Sequence, residues 1–353
     1  MKNVISNNRP IGVSGLMRVK NEDEFVEASI DSVIYALDEL IICYHESSDN
    51  TCKILEQKQR QFPQKIKLYN YPFKIYAHNL TWEEFNYAYN LSDDSPHLLS
   101  SYYNYTLSKA TYKYAVKIDA DQIYFKHAFT EICNAYRSKK KYRLNCLEKF
   151  AGNYFYSFCS QKFNSWDSFW GVLLANSGLF AYFYKHYILK TISNNKGYSW
   201  ISGINLFYRD TKYEIPIFVI NKNESEPIFI YNGALDHCFF EVTNETFYYP
   251  GRHFCTLNQN KTGRYSLIEA FNANNWRSSS VFVGFLWHHM RWCKKNNIFD
   301  KEIKSFPYKL LLELSSEELY CKDLFSVPES CMTFFCFYHD YLLNYQIKSD
   351  ILL

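Results

Sequence analysis

The first 125 positions alternate between two hydrophobic periods in a regular order. Residues 11 to 19, IGVSGLMRV, form a continuous apolar, β-compatible run. Residues 22 to 37 set Phe25, Ala28, Ile30, Val33, Ile34 and Leu37 on one helical stripe, and residues 38 to 44, DELIICY, return to a buried strand. That is a βαβ unit. A second helix is expected over Asp49 to Gln61, ended near Pro63, and a third strand over Lys65 to Tyr71. Residues 76 to 100 carry Asn, Asp, Ser and Pro and read as a long loop or lid. Helical spacing resumes over residues 101 to 112, and Tyr114 to Ile118 is again a strand. The order predicts an α/β fold with a mixed, mostly parallel sheet flanked by helices, its ligand site beyond the carboxyl ends of the strands.

Beyond residue 130 the periodicity supports a helix over 126 to 138, short strands near 142 to 158 and 178 to 184, and strands at 215 to 220, 227 to 231 and 238 to 242. A loop-rich stretch at 250 to 280 precedes the His-bearing run VFVGFLWHHMRWCKK. No internal repeat and no Gly/Ser-rich or Pro-rich linker interrupts the chain. The expected division is therefore one domain over 1 to 300, with a nucleotide half at 11 to 125 and an acceptor half at 126 to 300, followed by a helical extension at 301 to 353.

Composition narrows the function classes. Hydrophobic residues make up 47% and charged residues 21%, ordinary values for a packed globular chain. A net charge of +3, from 39 basic and 36 acidic residues, is too small for a nucleic-acid coat, and no recognition motif appears. The 11 cysteines form no CxxC pair and MKNVISNNRPIG lacks the apolar core of a signal peptide, which points to the reducing cytoplasm. No apolar run is long enough to span a bilayer. The stretch from Pro307 to Leu353, rich in Leu, Phe and Tyr, suits packing on the main domain or, alternatively, contact with a bilayer surface. The cluster Lys139, Lys140, Lys141 and Arg143 reads as a solvated face, with anionic lipid or phosphate as the alternative partner. The 32 Tyr and 29 Phe supply stacking faces for sugars and bases, and equally fill an ordinary core.

The chemistry concentrates in KYAVKIDADQIYF, where an apolar strand runs directly into Asp119 and Asp121. Strand side chains alternate, so the two carboxylates point to the same face. Hard oxygen donors at a strand end suit Mg²⁺ or Mn²⁺, which keep water and phosphate in their remaining positions. An isolated D-x-D also caps turns. Here it follows a strand, and before that a helix bearing Asn104, in a chain that opens with a βαβ unit.

R-V-K-N-E at Arg18 to Glu22, the Tyr-x-acid-x-x-Asp run at Tyr44 to Asp49, Y-Y-N-Y at Tyr102 to Tyr105 and K-I-D-x-D-x-I-Y at Lys117 to Tyr124 together carry a resemblance. Over residues 12 to 125 the chain resembles the bacterial lipooligosaccharide β-1,4-N-acetylgalactosaminyltransferases of the Campylobacter ganglioside-mimic type, GT-A glycosyltransferases related to family 2. The resemblance implies a GT-A fold, a UDP-sugar donor, Mn²⁺ or Mg²⁺, and an oligosaccharide or lipid-linked glycan acceptor at the cytoplasmic face of the inner membrane. It makes Arg18, Lys20 and Glu22 the loop that meets the uracil and phosphates. Glu46 and Asp49 become the acidic residues for the base or ribose, with helix capping the alternative for Asp49. Asn104 and Lys117, within the shared motifs, join the donor-binding set. Family-2 enzymes carry a double Asp where this chain has Tyr44 and His45, a departure at the base contact.

The later half supplies two further groups. LDHCFFE, residues 235 to 241, resembles a Gly-Asp-Cys type run and offers Asp236, then Glu241, as the base that takes the acceptor's proton; a turn-forming Asp is the alternative. In WHHMRW, residues 287 to 292, the resemblance makes His289 a third metal ligand, and Arg291 suits the diphosphate. A His among Trp residues also reads as core. The expected reaction is inverting transfer of N-acetylgalactosamine or a related hexose. A retaining outcome, another donor sugar, a nucleotidyltransferase, or a glycan-binding protein without catalysis are the alternatives.

Overall fold

The computed structural model describes residues 9–159, 179–216, 236–252, 265–273, 281–295, 305–313 and 345. The chain forms two compact units, one drawn from residues 1–120 and 238–280, the other from 121–237 and 281–353. The first stretch of the first unit ends at Ala120, and a later segment returns to that unit.

In the first unit, β1 (Val13–Val19) pairs in parallel with β2 (Glu39–Tyr44) on one side and with β4 (Tyr114–Asp119) on the other, and β2 pairs in parallel with β3 (Ile66–Asn70). β8 (Asp236–Glu241) runs antiparallel to β4 through residues 239 to 241. The strand order is β3-β2-β1-β4-β8, the mostly parallel sheet that the sequence predicts. Its strands are near-continuous apolar runs because both faces are covered; Val13, Leu16, Met17, Leu40, Ile41, Ile42, Ala115, Val116 and Ile118 are buried.

Between the strands lie α1 (Val26–Val33), α2 (Thr51–Gln61), α3 (Trp82–Tyr89) and α4 (Leu99–Ser108). α3 corrects the expected loop at 76 to 100. It starts at a capping box in which Thr81 accepts from the Glu84 N–H and the Glu84 carboxylate accepts from the Thr81 N–H, both at 3.2 Å. One buried carboxylate ties the sheet together. Glu39 Oε1 accepts from Ser14 Oγ and from the Thr111 N–H, both at 2.6 Å, while Oε2 accepts from Lys67 Nζ at 2.6 Å. A hairpin of β9 (Phe247–Pro250) and β10 (Glu269–Asn272), the latter within the expected loop-rich stretch, packs on α4.

The second unit holds β5 (Gln122–Tyr124), β6 (Ser199–Arg209), β7 (Lys212–Pro216), β11 (Val281–Trp292) and β12 (Ser305–Pro307). β11 lies parallel to β6 and antiparallel to β5, while β7 bridges β6 and β12 in antiparallel pairs. Where β6 meets β11, a Cβ on Gly203 would fall 1.9 Å from the Trp287 indole nitrogen, so only glycine admits that ring.

The short strands expected near 142 to 158 and 178 to 184 are helices. α5 (Lys126–Arg137) is followed by α6 (Cys146–Cys159) and α7 (Leu179–Asn195). Asn145 Oδ1 accepts from the Glu148 N–H and Glu148 Oε2 accepts from the Asn145 N–H, a capping arrangement at the start of α6. α7 buries Phe180, Tyr184, Ile188 and Ile192, one residue per turn, and tertiary burial of that stripe overrides the β propensity of its aromatic residues. The strand expected at 227 to 231 lies outside the described residues. Of the expected helical extension, α8 (Tyr308–Glu313) is described. Among the described residues, no helix is long and apolar enough to cross a membrane.

Candidate active site

In the first unit, the parallel register sets Arg18 of β1 opposite Asp119 of β4. The Arg18 guanidinium lies 3.6 Å from the centroid of the Tyr103 ring, and its Nη2 is 3.6 Å from Asp119 Oδ1. Lys117 Nζ stands 3.4 Å from Asp119 Oδ2. The Asp119 main-chain carbonyl accepts from Ser29 Oγ of α1 at 3.0 Å, which fixes the strand end. The carboxylate is thus flanked by two cations at the carboxyl edge of the sheet, and at 31% side-chain exposure it stays reachable. Burial works against the charge on Arg18, but Tyr103, Tyr248, Asp119 and Glu269 outweigh it and raise its pKa, so the guanidinium stays charged.

Tyr248 and Glu269 were not singled out by the sequence, and Tyr103 only as part of the Y-Y-N-Y run. Burial pushes the Tyr103 hydroxyl up to about 12 and raises the Glu269 carboxyl, against the pull of Lys117. Tyr248 and Glu269 come from β9 and β10, where the sequence shows only polar and aromatic alternation.

The remaining first-unit candidates divide. Lys20 Nζ pairs with Glu46 Oε2 at 3.5 Å, both about half exposed. The Glu22 main-chain N–H donates to Thr51 Oγ1. Asp49 accepts from the Thr51 N–H at 3.0 Å and the Asp23 N–H at 3.1 Å, bonds that tie the start of α2 to the turn after β1. Asn104 acts as a clamp on β9. Its Nδ2 donates to Tyr248 O and its Oδ1 accepts from the Tyr248 N–H, both at 2.8 Å, so the amide is committed to β9.

Glu241 is corrected as a base acting beside Asp119. It pairs with Tyr114, the first residue of β4, and its carboxylate meets Lys113 Nζ at 3.3 Å. β4 has 6 residues, which at roughly 3.3 Å per residue separates the two ends by about 17 Å. Instead, Glu241 lines a polar cavity of about 390 Å³ with Arg9, Lys113 and Thr243. Asp236 opens β8, and its side chain lies outside the described residues.

In the second unit, Asp121 precedes β5, and its carbonyl accepts from the Met290 N–H of β11 at 2.8 Å. That bond and the β5–β11 register bring His289 to it, with Nε2 3.5 Å from Asp121 Oδ1. His289 Nδ1 lies 3.0 Å from Asn205 Oδ1, a contact that orients the ring. A histidine held this way through its other nitrogen is the usual geometry of a metal ligand. Asp121 and His289 therefore fit a divalent cation completed by phosphate and water, although among the described residues no group of three His, Cys, Asp or Glu residues gathers.

Lys294 already contributes a positive charge here, its Nζ 3.0 Å from Asp121 Oδ2. Burial opposes ionisation of Asp121, but His289 and Lys294 outweigh it and hold the carboxyl well below the usual range. The adjacent His288 is core: its Nε2 meets the Tyr308 hydroxyl at 2.7 Å, and burial pushes it down to about 3. Arg291 is exposed on β11. Asn205 and Lys294 were missed, yet a lone Asn within the apolar run of β6 was a visible signal.

A model of the β-1,4-N-acetylgalactosaminyltransferase (CgtA) family matches residues 4–195. No curated protein matches the chain. Among solved structures, Staphylococcus aureus TarS 1–349 in complex with UDP is 15% identical, covering 35% of this chain and 31% of that one, at a TM-score of 0.25. Glucosyl-3-phosphoglycerate synthase from Mycobacterium tuberculosis, in complex with Mn²⁺, UDP-glucose and phosphoglyceric acid, is 14% identical over 44% of this chain and 51% of that one, at 0.24. The same synthase with Mn²⁺, UDP and glucosyl-3-phosphoglycerate is 18% identical over 33% and 35%, at 0.21. The chain thus spans about a third to a half of the length of these structures, and likenesses at those scores carry no argument.

Proposed function

Since the chain belongs to the β-1,4-N-acetylgalactosaminyltransferase (CgtA) family, we propose that it transfers a sugar, N-acetylgalactosamine as the best assignment, from a UDP-sugar to a hydroxyl of a surface-glycan acceptor. The observation that carries the reading is the pair of cations, Arg18 and Lys117, around Asp119 at the carboxyl ends of β1 and β4. In this reading they hold the donor diphosphate and develop no new charge as the bond to it breaks. In the first unit Asp119 would orient the ribose or a cation; in the second, Asp121 and His289 would hold a cation. A bound Mn²⁺ or Mg²⁺ supplies neutralising charge to the departing diphosphate.

The acceptor hydroxyl attacks the anomeric carbon, the carbon–oxygen bond to the diphosphate breaks, and the hydroxyl proton passes to a carboxylate. Asp236 remains the candidate base: β8 runs against β4, so it begins toward the end of the sheet at which β4 finishes. An inverting outcome follows if attack is direct. The acceptor would be lipid-linked, and the exposed Lys139, Lys140, Lys141 and Arg143 suit peripheral contact with the inner membrane from the cytoplasm.

Lys294 on Asp121 favours a second reading, in which the lysine supplies the positive charge and the metal is dispensable. A screen of UDP-sugars for hydrolysis, with Mn²⁺ and with chelator, tests both, and NMR of the product anomer reads the stereochemistry. Asp119→Ala should abolish hydrolysis. If the wild-type chain neither binds UDP nor hydrolyses any donor under either condition, the proposal is wrong.

A further inference from the structure

The polar cavity that Glu241 lines has no part in the reaction proposed above. Its walls come from three segments of the first unit: Arg9, Lys113, and the stretch from Glu241 to Glu245 that leads from β8 toward β9. Main-chain bonds join the three. The Lys113 N–H donates to Pro10 O and the Val242 N–H to Lys113 O, both at 2.9 Å. The cavity thus lies at the amino end of β4, the opposite end from Asp119. Its volume of about 390 Å³ falls in the range of small-molecule sites, about 300–1,000 Å³. Apart from Val242, every lining side chain is polar.

Arg9 is the under-satisfied group in this lining. Its Nη1 donates to Ala110 O, whereas its Nε is buried without a hydrogen bond among the described residues. Burial weighs against its charge, and the carboxylate that pulls the other way, Glu39, has its oxygens committed to Ser14, Thr111 and Lys67. A guanidinium drawn partly out of water gains most from an oxyanion, which accepts charge-assisted hydrogen bonds from it. Lys113 is placed differently, with its Nζ 3.3 Å from Glu241 Oε1 and both side chains half-exposed. Around Arg9 the cavity is therefore rich in acceptors: Glu241, Thr243, Asn244 and Glu245. A bare anion on Arg9 would face two carboxylates, whereas a molecule with hydroxyls behind its oxyanion would donate to them.

We propose that this cavity is a second ligand site, taking a monosaccharide that bears one phosphate or carboxylate, with the oxyanion on Arg9 and the hydroxyls on Glu241, Thr243 and Asn244. Both head groups present the oxyanion that Arg9 lacks. The acceptors opposite select for the hydroxylated body behind it. Because the cavity and the Asp119 edge lie at opposite ends of β4, the site holds its ligand alongside a nucleotide rather than in place of one.

Calorimetry on the full chain with glucose 6-phosphate, glucuronate, glucose and inorganic phosphate, each with and without saturating UDP, tests it. At least one of the two acidic sugars should bind about tenfold more tightly than glucose and than inorganic phosphate, and UDP should leave that affinity within about twofold. Which of the two binds identifies the head group. Arg9→Gln should lose about tenfold of the affinity, the worth of one charge-assisted hydrogen bond, and Arg9→Lys should keep part of it. A readout on the wild type needs no variant: the amides of Val242, Thr243 and Glu245, each already hydrogen-bonded, should exchange more slowly with the acidic sugar bound. Four results overturn the proposal: neither acidic sugar binds; neither binds more tightly than phosphate or glucose; UDP displaces it; or the slowed exchange falls away from residues 241 to 245.

Discussion

Asn104 discriminates sharply between a ligand contact and a structural one. Its side-chain amide makes two hydrogen bonds of 2.8 Å to the main chain of Tyr248, 144 residues away, and Tyr248 is 2% exposed. Asn104→Ala deletes both bonds and leaves a main-chain N–H and C=O without partners in a place water scarcely reaches. Each bond contributes about 1 kcal/mol and each stranded group adds to the cost, so the loss is about 3 kcal/mol. For a domain of this size, about 2–4 °C per kcal/mol gives a fall in the thermal midpoint of about 6–12 °C. Asn104→Asp should be at least as damaging at neutral pH, because it sets a carboxylate oxygen against the Tyr248 carbonyl. Thermal melts, paired with UDP titrations at low temperature where the variants are folded, check this. If Asn104→Ala melts within about 2 °C of the wild type and yet loses UDP affinity, the clamp argument is refuted and the residue belongs to the nucleotide.

Three further outcomes follow from the same geometry. Glu241→Gln should leave turnover within about twofold and stability within about 1 kcal/mol, since it removes only a half-exposed pair with Lys113 at the wrong end of β4; a large loss of kcat in steady-state assays would restore Glu241 as the base. Burial raises the pKa of Glu39, but Lys67, Ser14 and Thr111 outweigh it and the net shift is downward. The stability it contributes is therefore present above the ordinary glutamate value and lost as pH falls through the depressed one; urea unfolding should show that acid loss in the wild type and not in Glu39→Gln. Lys294→Met removes a cation that competes at Asp121, so Mn²⁺ affinity measured by calorimetry should rise about fivefold. If Lys294 instead supplies the positive charge itself, the wild type stays active in chelator and the variant does not.

Apart from α3, the first 120 residues were legible because a parallel sheet writes itself plainly. Strands covered on both faces are unbroken apolar runs, and the helices between them keep a separate period, so the strand ends, and with them Arg18 and Asp119, could be located from pattern alone. The later helices were misread where aromatic residues dominate, although the signals were present. Asn145 and Glu148 bracket the start of α6 as Thr81 and Glu84 bracket α3, and Phe180, Tyr184, Ile188 and Ile192 recur every fourth position.

Glu241 and Asn104 turn on a different consideration. A carboxylate in a strand is useful or idle according to which end of its neighbour it meets, and that follows from the direction of pairing with a strand more than 100 residues earlier. An amide on a helix is free for a ligand only if no distant main chain claims it, and β9 claims Asn104. His45 is the converse case: the pattern marks it only as a departure, whereas the fold buries it and leaves its Nδ1 without a hydrogen bond among the described residues. Residue type and local spacing identify which groups are capable of chemistry. The hydrogen bonds that the rest of the fold makes, or leaves unmade, determine which of them are available for it.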